Sequence, residues 1–140
     1  DLHTAYRRQR QMCIRDRVYP LHRTIVGDMT MTQHARDLDH AVGLIPDGVC
    51  VEAADNAVPH LTARTHVGLH GDIGDELATW MIVDTSVPEL GGWDPLTPEQ
   101  ALARAERLGF ERVWSAGDVV VLHHPDRAVS PTCTTYLEHR

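Results

Sequence analysis

Lysine is absent from this 140-residue chain; all thirteen basic residues are arginine. Arginine codons are GC-rich and lysine codons are not, so the absence reflects a GC-rich coding sequence and says nothing of mechanism. Aromatic residues are scarce, with three Trp, three Tyr and one Phe. Long apolar runs are missing as well: none approaches the roughly 20 residues that span a bilayer, and the longest, "WMIV" and "DVVVL", are strand-sized. The start lacks the apolar core of a signal peptide, so the chain as given reads as a soluble piece. A basic excess is also lacking. The net charge is −7, and residues 18–140 alone hold eight Arg against eighteen acids, or −10. An acidic body excludes nonspecific nucleic-acid binding and docking on anionic lipid. There is no P-loop, no GxGxxG, no Ser-His-Asp order and no internal repeat, and no cofactor is expected. The length allows one domain with one sizeable core.

Residues 1–17 stand apart. They contain five Arg and Cys13, with a local charge of +3 and no helical or strand period. Back-translated as ATG TGT ATA AGA GAC, Met12 to Asp16 resemble the mosaic end of transposase-built sequencing libraries. Arg7 to Gln11 resemble the read-primer part of the same adapter, and Asp1 to His3 the end of the flow-cell primer, all in one frame. The segment therefore reads as translated adapter, non-native and disordered, with the native chain beginning near Val18 and truncated there. The competing reading, an Arg-rich arm for nucleic acid or phosphate, has only the charge in its favour.

In the native part, residues 18–30 read as a linker. Thr30 and Gln33 fit a capping box, and Ala35, Leu38, Ala41, Val42 and Ile45 recur at helical spacing. "VCVEAA" (49–54), "THVGLH" (65–70) and "TWMIVDTS" (79–86) read as strands, with a short helix between the first two. Thr97-Pro98-Glu99-Gln100 opens a second long helix with an N-cap, a proline at its first position and a capping box. Gly109 is its expected C-cap. "ERVWSAGDVVVLHH" reads as two strands around a tight turn at residues 116–118. The order predicts an α/β domain over residues 31–125, a small mostly parallel sheet flanked by helices and ending in an antiparallel hairpin. Residues 126–140 read as a flexible tail.

Ligands in open α/β sheets bind beyond the carboxyl ends of parallel strands. Those ends offer Asn56, His60, His70, Asp84 and Thr85, an amide, imidazole, carboxylate and hydroxyl set suited to sugar hydroxyls or a phosphate. The structural alternative is that Asn56 and Asp84 bond loop backbone and that His60 caps or packs the short helix. Ten histidines do not make a metal site. His66 and His70 would lie about 13 Å apart along a strand, too far to share an ion. Only folding could bring His60, His70, Asp72 and Asp84 together, and no metal is expected. "GDIGDE" lacks EF-hand spacing and reads as a solvated acidic turn. Cys50, in a buried strand, reads as a free thiol acting as a small apolar residue; a Cys50–Cys133 disulfide is the alternative in an oxidising compartment.

"LIPDGVCVEAADNAVPHLTAR", "WMIVDTS" and "AERLGFERVWSAGDVVVLHHP" carry a resemblance. The pattern IPxGxxVxAxNxxxPHLxxR aligns from Ile45 to Arg64, with Asp55 at its Asn position and Asn56 one place on in a looser "AADN" version; Ile82-Val83-Asp84-Thr85 and the ending from Gly109 to Leu122 follow it. Over about 80 residues the chain resembles the C-terminal domain of an uncharacterised, DUF-type family of multispanning membrane proteins, themselves similar to GT-C glycosyltransferases. The resemblance implies a small extracytoplasmic α/β domain behind a membrane-spanning region. It implies an accessory role in glycosyl transfer, with that membrane region as partner and a glycan or lipid-linked sugar nearby. The catalytic carboxylate of such enzymes lies in an early loop outside this chain, so no residue here is expected to be catalytic. The alternative reading is a free-standing α/β module that binds a small ligand or a partner.

Overall fold

Apolar residues spaced three and four apart make Gln33–Leu44 a helix, α1, with Leu38, Ala41 and Val42 buried along one face. The computed structural model describes residues 31–138. The adapter-like segment, the linker and Thr30 lie outside the described residues. Helix α1 begins at Gln33, so Gln33 opens it and bonds Asp37 Oδ1 through its amide (2.9 Å) instead of serving as the third residue of a capping box.

Cys50–Ala53 (β1) is buried on both faces, as a central strand must be. Val58–Leu61 (α2) follows, then His66–Gly68 (β2), Trp80–Asp84 (β3), Pro98–Leu108 (α3), Glu111–Ala116 (β4), Val119–His123 (β5) and Pro131–Glu138 (α4). The start of α3 is as expected. Thr97 Oγ1 accepts the Gln100 N–H and the Gln100 side chain accepts the Thr97 N–H, with Pro98 at the first position. Gly109 closes the helix at φ 88°, a left-handed conformation that glycine adopts without strain.

The five strands form one mixed sheet in the order β2-β1-β3-β5-β4. β1 pairs parallel with β2 and with β3; β5 pairs antiparallel with β3 and with β4. The expected mostly parallel sheet is therefore corrected to one with two parallel and two antiparallel pairs. The reason lies in burial. "VVVLH" is apolar on both faces and is buried, so β5 takes the interior place beside β3. "ERVWSA" carries two charges and a serine, is largely exposed, and takes the edge. A bulge between Arg112 and Trp114 interrupts the β4 ladder and leaves Val113 in solvent, which blunts that edge against pairing with another chain.

Two apolar layers sandwich the sheet. On one face Leu38, Ala41, Val42 and Ile45 of the α1 region pack against Val51, Ile82, Val119 and Val121. On the other, Ala101 and Ala105 of α3 pack with Met81, Val83, Val120 and Leu122. Each Val, Leu, Ile or Met side chain among them contributes about 1.5–3 kcal/mol on burial, and each Ala less.

The C-terminal stretch departs from expectation. Of the expected flexible tail over 126–140, the described part, residues 126–138, is anchored: Arg127 donates to the Ala78 carbonyl (2.7 Å), and Pro131–Glu138 is helical. Cys133, fully buried, forms a disulfide with Cys50. The expected free thiol at Cys50 is corrected accordingly. Strand alternation puts Cys50 on the same side as Glu52, so the bond holds α4 on the α3 face.

Candidate functional site

β3 ends on Asp84, whose carboxylate is buried and surrounded by donors. Oδ1 accepts the backbone N–H of Ser86 (2.9 Å) and the Ser86 hydroxyl (2.6 Å). Oδ2 accepts the Asn56 amide (2.7 Å) and lies 2.9 Å from His34 Nε2. Burial pushes the Asp84 carboxyl up, but the hydrogen bonds from Ser86 and Asn56, with His34 alongside, outweigh it and hold the group below its ordinary value. Four polar contacts occupy both oxygens. Ser86 and His34 bond different oxygens of the one carboxylate, so Asp84 does not line the histidine up behind the hydroxyl as a nucleophilic triad requires. The cluster ties α1, the loop after β1 and the end of β3 together at the carboxyl end of the parallel strands.

A second polar cluster crosses the α3 face. Glu52, in the middle of β1, is fully buried. Arg104 of α3 clamps it with two bonds, Nη1 to Oε2 (2.5 Å) and Nη2 to Oε1 (3.2 Å). The same guanidinium reaches Asp75 Oδ1 through Nε (3.0 Å) and Nη2 (2.6 Å). His70 completes the group. Its Nε2 donates to the Ile82 carbonyl (2.9 Å), and its Nδ1 is buried, without a hydrogen-bond partner, 3.8 Å from Glu52 Oε2. Burial lowers the His70 imidazole below its ordinary value and outweighs the nearby Glu52 charge and the Ile82 bond, so the ring is neutral at neutral pH. Arg104 is held above its usual value: burial lowers it, and the bonds from Glu52 and Asp75 more than compensate.

The five residues read from the sequence as one group are split between two faces. Asn56 and Asp84 meet on the α1 face. His70 lies on the α3 face with Glu52 and Arg104. Thr85 is tied to the hairpin turn, donating through both its hydroxyl (2.9 Å) and its N–H (2.7 Å) to the Asp118 carbonyl. His60 is exposed on α2. Sequence reasoning missed Glu52, Arg104, Asp75, His34 and Ser86. Two of these left a signal. Glu52 is the one ionisable residue in an otherwise apolar strand, and Arg104 interrupts the apolar stripe of α3 between Ala101 and Ala105. A charge in each of two facing apolar surfaces points to a buried pair.

A cleft of about 390 Å³ lies over this pair, between the β2–β3 loop and the β3–α3 loop; Arg104 and His70 line it. Asp75, in the turn expected to be merely solvated, is part of its wall. Among the described residues no group of three or more His, Cys, Asp or Glu side chains is placed to hold a metal ion, and no helix is long and apolar enough to cross a membrane. Compared with known proteins, the chain matches no protein-family model, no curated protein sequence and no solved structure.

Proposed function

We propose that this chain is a fragment of a polytopic membrane protein, its extracytoplasmic α/β domain, accessory to a GT-C-like glycosyltransferase and not itself catalytic. The observation that carries this reading is the buried Cys50–Cys133 disulfide, a bond that persists in oxidising compartments. The residues of the family-like pattern support it from another side, because they hold the scaffold. Gly48 turns the chain at φ 74° and donates to the Arg64 carbonyl (2.8 Å). Arg64 donates to the carbonyl of Val42 in the last turn of α1 and to that of Ile45 just beyond it. Asn56 holds Asp84. Contacts of this kind maintain a fold, which suits an accessory role. The partner is the membrane-spanning region of the same protein, and the acidic body disfavours nucleic acid.

The test is to recover the source DNA across Val18 and map the topology of the full protein with reporter fusions. Several membrane spans upstream and an exported domain are expected; a cytoplasmic domain, or a non-membrane domain upstream, would overturn the reading. Native-type GC-rich codons across residues 7–16 would separately remove the adapter assignment. The second reading, a free-standing small-ligand module, is favoured by the cleft over Arg104.

A further inference from the structure

The cleft on the α3 face has a fixed floor, an acidic wall and an aromatic rim. The floor is Arg104, its guanidinium already engaged by Glu52 and Asp75. Asp72 and Asp75 stand on one side, and Trp93 and Asp94 on the other. Trp93 follows two glycines and is fully exposed, at 105% of its reference area. A tryptophan with no protein packing is the most expensive apolar group to leave in water, and here it borders a cavity. His70 lines the same cleft and is itself almost wholly buried, at 4% exposure, with Nδ1 unpartnered. Because Nε2 donates to the Ile82 carbonyl, Nδ1 of the neutral ring is an acceptor, and the group it lacks is a donor.

The geometry points to this cleft as a binding site for an uncharged pyranose sugar, with Trp93 as the stacking surface and the Asp72 and Asp94 carboxylates as acceptors for its hydroxyls. Three features select that class. Among the described residues Arg104 is the only cation on the cleft lining, and it is committed to two carboxylates, so a phosphate or carboxylate ligand would meet uncompensated negative charge. The acceptors are distributed along both walls, which suits a ligand with several hydroxyl donors on one ring. The volume, about 390 Å³, falls among small-ligand sites and well above the space a compact ammonium ion fills. The pyranose ring adds C–H groups of slight positive charge, which sit on the negative face of an indole. The inference rests on the cleft alone, and membrane attachment of the domain does not enter it.

The test is titration of the whole 140-residue chain with glucose, galactose, mannose and N-acetylglucosamine, followed by saturation-transfer and amide-shift NMR. Inorganic phosphate and tetramethylammonium serve as charged probes. At least one uncharged sugar is expected to bind, with shifts confined to residues 69–76 and 90–96. Trp93→Ala should weaken that binding at least about fivefold, and Asp94→Asn should weaken it with an unchanged thermal midpoint. Both sites are exposed, so the fold is not at risk. The inference is overturned if no sugar binds, if binding survives Trp93→Ala, or if only phosphate or tetramethylammonium binds. None of these outcomes alters the topology experiment above, so the two readings fail separately.

Discussion

Glu52 and Arg104, 52 positions apart in sequence, meet as a two-pronged ion pair between the central parallel strand and the helix above it. Removing Arg104 leaves the Glu52 charge buried with no counter-charge, whereas removing Glu52 leaves Arg104 paired with Asp75 alone. Arg104→Ala should therefore cost about 3–5 kcal/mol, and Glu52→Ala less. Replacing both with apolar residues of similar volume, Glu52→Leu with Arg104→Met, should recover most of that loss. Urea unfolding of the three variants checks this; equal destabilisation by single and double changes would contradict it.

The Cys50–Cys133 bond closes a loop with a sequence separation of 83. The loop-closure entropy removed from the unfolded chain corresponds to about 4–5 kcal/mol. Cys50→Ala with Cys133→Ala, or reduction of the native bond, should lower the unfolding free energy by up to that amount. The loss should appear first as amide exchange in α4. A reduced protein with the same stability and the same α4 protection would rule the bond out as a structural element.

The His70 imidazole is lowered in the folded state from its ordinary value of 6.5. Below that value the unfolded chain binds the proton more readily than the folded one. Stability is then complete above about pH 6.5 and declines as pH falls toward the lowered folded value. His70→Gln keeps a donor for the Ile82 carbonyl and removes the titration. Thermal midpoints across pH 4.5–8 should fall more steeply on the acid side for the parent than for this variant.

Asp84 behaves in the opposite chemical sense with the same slope. Its carboxyl is depressed by the bonds from Ser86 and Asn56 and by His34, against the effect of burial. The resulting stability is present above the ordinary carboxyl value of 3.8 and is lost as pH falls through the folded value. Asp84→Asn turns one acceptor into a donor facing other donors, and should cost about 1–3 kcal/mol. Chemical denaturation at pH 7 and pH 3 should show the cost shrinking at low pH.

Much of the fold was legible because its signals are local. The periods of α1, the buried runs of β1 and β3, the Thr97 cap and the Gly109 stop each follow from neighbouring residues. Strand order was not, because it depends on which member of the last hairpin carries more apolar surface, and β5 outranks β4. The α4 helix is short and weakly amphipathic, yet Ser130-Pro131 repeats the cap-and-proline start of Thr97-Pro98: the Ser130 hydroxyl accepts the Thr132 N–H at 3.3 Å. Candidate site residues were only partly legible. Asn56 and Asp84 meet in the fold, but His70 lies in the loop beyond β2 and reaches Glu52 on the α3 face, a placement that a list of strand-end residues does not contain.

The bond between Cys50 and Cys133 encloses all five strands within one covalent ring, from the first residue of β1 to the third residue of α4. Tension applied to the chain on either side of that ring crosses from sulfur to sulfur and never loads the sheet. Among the described residues, only α1 and its flanks on one side, and the last residues of α4 on the other, can be drawn out. Roughly 280 Å of chain, at about 3.4 Å per residue, stays coiled inside until the bond is reduced. The domain is thus mechanically a knot on a string, deformable at its ends and inextensible at its centre.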